Sequence, residues 1–267
     1  MAVITITSDY GLKDHYVAAL KGALHRELEN PVIVDVTHQI QAFNITEAAF
    51  ILRSAFSHFP NGSVHIICVD EEALDDRSHL VMKLNGHLFL ASNNGVLSMI
   101  NPDVKPDLLV EVDLRNAPEL TSARDIFARV AGHLARGGKP ELLGRVVTEF
   151  KTASLPNPAV KEDGKFIIGT VIYIDRYGNL VTNLTKKLVQ EVGKGRQARV
   201  VLTKGRKPIT KILNHYYEEN EEGKAIALYN AAGHIEIAIF KSGTDTYGGA
   251  NDLLGMRIND HINLEFV

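Results

Sequence analysis

The chain has 267 residues, 45% hydrophobic and 23% charged, with a formal net charge of −3. That length supports one large domain or two modest ones with real cores, and the charge balance argues against a nucleic-acid partner. The single cysteine, Cys68, excludes an internal disulfide and fits a reducing compartment. No stretch approaches the roughly 18 apolar residues of a membrane span and no basic leader opens the chain, so a cytoplasmic protein is expected.

In chain order, "AVITIT" (2–7) reads as a first strand, and "DHYVAALKGALHREL" (14–28) as a helix with Tyr16, Leu20 and Leu24 on one face. "PVIVDVT" (31–37) is a second strand. "NITEAAFILRSAFSHF" (44–59) is a second helix, opened by Asn44 with Glu47 three residues on, an Asn form of the capping box. "VHIICV" (64–69) is apolar on both faces, as expected of a strand covered by helices. Such alternation predicts a parallel sheet with helices on both sides. The pattern then changes. "HLVMKLNGHLFLAS" (79–92) predicts an antiparallel hairpin around Asn85-Gly86, and "SARDIFARVAGHLARGG" (122–138) a further helix stopped by Gly137 and Gly138.

The stretch 152–164, with two prolines and little periodicity, is the expected linker. It separates an N-terminal domain, 1–151, from a smaller β domain, 165–267, a barrel or sandwich. Strands dominate that second part, interrupted by a short helix near "TKKLVQEV".

Ligands of open parallel sheets bind outside the carboxyl ends of the strands. Asp9, Asp35 and Asp70 fall at or near such ends. One acid there need only open a loop; several at one edge make a polar pocket the better explanation. Arg77 follows Asp70 in a mostly acidic loop. His133 falls on the apolar face of its helix, where a histidine is more often paired in the core than catalytic. No Gly-x-Gly-x-x-Gly or Walker-type loop follows the first strand, so neither a dinucleotide nor a nucleoside triphosphate is indicated. No CxxC or HExxH spacing occurs, although the strand-end acids leave a hard metal open.

The stretches "TSDYGLKDHYVAALKG" (7–22), "VDVTHQIQAFNITEAAFIL" (34–52), "FPNGSVHIICVD" (59–70), "NNGVLS" (93–98), "RDIFARVAGHLARG" (124–137) and "IDRYGNLVTNL" (174–184) together resemble the adenosine-forming S-adenosyl-L-methionine (SAM) hydrolases. These are the hydroxide adenosyltransferases of the fluorinase and chlorinase superfamily. The resemblance implies an α/β fold: a Rossmann-like N-terminal domain with a mixed, largely parallel sheet, and a C-terminal β-barrel-like domain. It also implies a homotrimer with substrate held between the N-domain of one subunit and the C-domain of the next, and no metal or other cofactor. Carried over by position, an Asp–Arg–His set falls on Asp70, Arg77 and His133, and a ribose-binding acid on Asp9. The methionine end falls to Asp14 and Asp175, an aromatic wall to Phe43, and an adenine-reading amide to Asn179.

The sequence departs from the pattern in places. The loop after the catalytic Asp, usually Pro-Gly-Val-Gly, is "EEALDD"; a Phe-His-Gly before Arg124-Asp125 is replaced by Thr121, Ser122 and Ala123; an Asn-Ser pair is Asn230-Ala231. The implied reaction is hydrolysis of SAM to adenosine and L-methionine by in-line attack of water on the ribose C5′. A sulfonium is a good leaving group, so the protein must chiefly align a nucleophile in a dry site. Arg77 would favour hydroxide character, while Asp70 or His133 accepts the proton. A halide adenosyltransferase, a non-catalytic SAM- or adenosine-binding protein and a metal-dependent phosphoesterase are the competing expectations.

Overall fold

The structure is a computed structural model describing residues 2–72, 78–115, 117, 120–202, 207–219 and 221–267. The chain forms two compact units, Met1–Ser154 and Leu155–Val267.

In the first unit the order is β1 (Ile4–Ser8), α1 (Tyr16–Glu27), β2 (Ile33–Thr37), α2 (Ile45–Ala55), β3 (Val64–Cys68), β4 (His79–Leu84), β5 (His87–Ser92), α3 (Val96–Ile100), β6 (Leu108–Val112), α4 (Ala123–Ala135) and β7 (Gly144–Val146). They build one seven-stranded mixed sheet in the order β2-β1-β3-β5-β4-β6-β7. The pairs β1/β2, β1/β3 and β3/β5 are parallel, whereas β4 runs antiparallel to β5 and β6, and β7 to β6. Parallelism is therefore confined to one half of the sheet.

The strand period of two sorts the faces. Ile4, Ile6, Val64 and Ile66 pack against Leu20 and Leu24 of α1 and Phe127, Val130 and Leu134 of α4. The alternate positions Thr5 and His65 turn the other way, toward Phe56 at the end of α2 and Phe89. The local signals behave as chemistry demands. Asn44 Oδ1 accepts the Glu47 amide at 3.1 Å and starts α2. Asn85 and Gly86, at φ +50° and +79°, make the tight turn of the β4–β5 hairpin.

Because β1 lies between β2 and β3, the chain leaves β1 toward one side of the sheet and later crosses to the other. The loops after β1 and β3 diverge and open a crevice at the carboxyl edge.

The second unit contains β8 (Ala159–Lys161), β9 (Phe166–Ile174), β10 (Leu180–Thr185), α5 (Lys186–Gly193), β11 (Ala198–Leu202), β12 (Ile212–Leu213), β13 (Ala225–Tyr229), β14 (His234–Ile239), α6 (Ala250–Leu254) and β15 (His261–Phe266). The path β11-β15-β9-β10-β14-β13-β12, with β8 on β9, makes an eight-stranded sheet. An antiparallel bridge from Val200 of β11 to Ile209, just before β12, brings its two ends together, so the sheet is nearly a barrel. Its inside is filled by Ile167, Val171, Leu180, Leu184, Ile235, Ile237, Ile262 and Leu264. Residues 159–161, expected within a linker, form β8 and pair antiparallel with β9.

Candidate active site

The crevice between the ends of β1 and β3 is a cavity of about 800 Å³ lined by Asp9, Tyr10, His15, Tyr16, Ala19, Ala42, Phe43, Asp70, Glu71, Glu72 and residues 121–124. Its size is that of an ordinary small-molecule site. The two strand ends are tied together, the Asp9 amide donating to the Cys68 carbonyl at 3.2 Å. One carboxylate oxygen of Asp9 accepts the Phe43 amide at 2.8 Å. That bond anchors Phe43, which has φ +65°, lines the cavity and is 74% exposed.

Asp70 also has a left-handed backbone, φ +48°. A non-glycine residue tolerates this only where its surroundings over-determine it, and such positions cluster at functional sites. The determinant here is Asn94, buried just before α3, whose amide donates to the carbonyls of Val69 (2.9 Å) and Asp70 (3.0 Å). Its oxygen accepts the Val96 amide at 3.0 Å.

Glu71 is anchored just as firmly. Its carbonyl accepts from Ser92 Oγ at 2.5 Å and from His79 Nε2 at 3.3 Å, and its carboxylate accepts the Tyr10 hydroxyl at 2.6 Å. Burial pushes Glu71 above the ordinary carboxylate range; the Tyr10 bond opposes this, while the charges of Asp9 and Glu72 add to it. The Tyr10 phenol is pushed up by burial and by its proximity to Cys68 and Glu71.

The structure brings Asp9, Phe43 and Asp70 together in one cavity. Arg77 lies outside the described residues. His133 does not join the others. The cavity is walled by the start of α4, and at about 1.5 Å per residue His133 is roughly 15 Å further along the helix. It sits in the last helical turn, where Nε2 donates to the Lys139 carbonyl at 3.0 Å. Nor is it in the core, being half-exposed. The amide of Ala2, preceding β1, bonds the Ala135 carbonyl, so this helix end lies at the opposite edge of the sheet. The family's Phe-His-Gly position falls instead on residues 121–123. There Ser122 caps α4, accepting the Asp125 amide at 3.2 Å and donating to its carboxylate at 2.7 Å. Asp14 is exposed in the loop before α1 and is not among the lining residues. Asp35 is not among the lining residues and is paired with Lys21 at 2.5 Å and with His38 at 3.1 Å.

In the second unit, Asp175 organises the turn between β9 and β10. One of its oxygens accepts the amides of Tyr177 and Asn179, both at 2.9 Å, and the other the Asn179 side-chain amide at 3.0 Å. Gly178, at φ +78°, is required: a Cβ would lie 2.3 Å from Asn251 Oδ1. Glu236 of β14 faces this turn. Burial raises its carboxyl, Asp175 adds to the rise, and bonds from Asn230 and Asn179 oppose it.

Tyr10, Glu71, Asn94 and Ser122 are thus site residues that motif reading did not select, though each lies inside or beside a stretch carrying the resemblance.

Comparison with known proteins decides the family. Residues 4–144 match the SAM hydroxide adenosyltransferase N-terminal domain and residues 169–263 the C-terminal domain of the same family. The chain belongs to the SAM hydroxide adenosyltransferase family. Its relatives include an (R)-S-adenosyl-L-methionine hydrolase of Thermus thermophilus, 29% identical over 96% of this chain and 97% of the relative. Another is the (R)-S-adenosyl-L-methionine hydrolase of Methanocaldococcus jannaschii, 27% identical over 98% and 95%. A fluorinase of Nocardia brasiliensis is more distant, at 22% over 88% and 89%. A conserved protein from Thermotoga maritima, known as a crystal structure, superposes with a TM-score of 0.84 at 28% identity, covering 98% of this chain and 99% of that one.

Proposed function

We propose that the protein hydrolyses SAM to adenosine and L-methionine, water attacking the ribose C5′ in line with the departing sulfur. The observation that carries this reading is the acid-lined cavity at the crevice between β1 and β3, in a chain whose family transfers adenosyl to hydroxide. Asp9 binds the ribose hydroxyls, Phe43 lies against the nucleoside, and Asp70, held rigid by Asn94, orients the water. The resemblance assigns the accompanying positive charge to Arg77. Asp175 and Asn179 receive the methionine ammonium and the adenine edge, with Asp14 nearby in the amino-acid end.

The N-terminal domain is Rossmann-like on this reading, and the working assembly is a homotrimer in which each site draws on two subunits. A sizing experiment that finds a fully active monomer contradicts the trimer. No metal or cofactor is required, and activity that survives EDTA is the expected result. Among the described residues no group of three His, Cys, Asp or Glu side chains is placed to hold a metal ion, and no helix is long and apolar enough to cross a membrane. The buried, unpaired Cys68 supports a cytoplasmic setting.

A halide nucleophile fits less well, because Asp9, Asp70 and Glu71 share the cavity and like charges repel. One observation favours a binding protein without turnover: Ser122 stands where the family pattern has histidine, and His133 does not replace it. Incubation with SAM and chromatography of the products separates the readings. Equal amounts of adenosine and methionine are expected. 5′-Chloroadenosine formed from chloride would favour halide transfer, and tight binding without products would favour the binding protein.

A further inference from the structure

With His133 at the far end of α4 and Asp70 assigned to orienting the water, a second cavity acid is left to receive the proton that the attacking water loses. We propose that Glu71 is that group. The inference rests on the reading of the protein as a SAM hydrolase. In the step, the water oxygen bonds to C5′ as the C5′–S bond breaks, and the bonding pair leaves on the methionine sulfur. One water proton passes to the Glu71 carboxylate and then to solvent, so SAM and water become adenosine, methionine and a released proton.

Three features single out Glu71 among the cavity acids. It adjoins Asp70, lines the same cavity, and has its carboxylate held by Tyr10, itself a lining residue. Its backbone is fixed by Ser92 and His79 and its side chain by Tyr10, which gives the defined geometry a proton acceptor needs. Asp9, by contrast, has one oxygen bonded to the Phe43 amide and is assigned to the ribose hydroxyls. The groups facing Glu71 are Tyr10 and Asp9 from the end of β1, Cys68 of β3, its neighbour Glu72, and His79 of β4 through the backbone; Arg124 lies across the cavity at the start of α4. Burial raises the carboxyl above the ordinary carboxylate range, which makes it a stronger base. The residue stands where the family pattern has proline, so the acid is a feature of this chain.

The test is the pH profile of kcat for wild type, Glu71→Gln and Tyr10→Phe, with SAM affinity by calorimetry and thermal melting alongside. Glu71→Gln should lose roughly 10²-fold or more in kcat, lose the acid limb of the profile, and keep its SAM affinity. Tyr10→Phe removes a bond that favours the ionised carboxylate, so its acid limb should move to higher pH. If Glu71→Gln does not fold, Glu71→Asp carries the test, keeping the acid limb at much reduced turnover. Wild-type turnover with an unchanged acid limb in either Glu71 variant overturns the proposal, as does a loss of SAM affinity that accounts for the whole defect. A wild-type protein that makes no adenosine overturns the hydrolase reading itself.

Discussion

Asn94 clamps Asp70 through the backbone, its side-chain amide bonding the Val69 and Asp70 carbonyls at 2.9 and 3.0 Å while Asp70 holds φ +48°. The pair lies 24 positions apart in sequence, so the conformation of Asp70 depends on the loop between β5 and α3. Asn94→Ala should leave buried carbonyls unsatisfied and cost about 1–3 kcal/mol of stability, visible in urea titration. The folded fraction should also turn over SAM more slowly, since Asp70 is free to relax. Unaltered kcat in folded Asn94→Ala protein would show that the clamp is structural only.

The same strain separates two replacements of Asp70. Asparagine adopts the left-handed region readily and alanine does not. Both should cut turnover by roughly 10²-fold or more, but Asp70→Ala should melt below Asp70→Asn. Equal melting temperatures would mean that the backbone relaxes at no cost.

Acid should destabilise the fold through the histidines behind β3. His65 lies 2.7 Å from Thr5 Oγ1 and 3.1 Å from His87 Nδ1, stacked on Phe89. Burial, then the neighbouring His87, pushes its pKa down to about 3. The unfolded chain, with an ordinary value of about 6.5, therefore binds more protons between those two values. The stabilisation is complete above about pH 6.5 and is lost as the pH falls toward 3, at about 1.4 kcal/mol per pH unit for one such site. Urea unfolding across this window should show that slope, and His65→Leu should flatten it. An equally steep dependence in the variant would assign the slope to other groups.

How far the sequence discloses this molecule depends on whether the deciding interaction is local. The Asn44–Glu47 cap and the Asn85-Gly86 turn act over a few residues, and both form as read. The alternation that buries Ile4, Ile6, Val64 and Ile66 under α1 and α4 is local as well. His133 shows the limit. Periodicity places a residue on a helix face, but not at which edge of the sheet each helix end lies. Among the described residues at this helix, 121–124 at its start line the cavity. Glu71 is legible as part of an acidic loop, whereas the bond that fixes its carboxylate comes from Tyr10, 61 positions earlier. The parallel sheet read from the alternation of the first three strands holds for β2, β1 and β3. It gives way where the β4–β5 hairpin reverses the chain.

Asn179 offers a test of the second unit. Its buried side-chain amide is held by Asp175 at 3.0 Å, and an adenine edge would be read by SAM and adenosine alike. Asn179→Ala should weaken both ligands by about 1–3 kcal/mol, measured by calorimetry. Unchanged adenosine affinity would remove Asn179 from the adenine site.

On the proposed mechanism, water bound beside Asp70 attacks the ribose carbon. Reaction with SAM in oxygen-18 water, followed by mass spectrometry of both products, tests it most directly. One heavy oxygen is expected on the 5′ position of adenosine and none in methionine. Label in methionine, or adenosine formed without label, would contradict it.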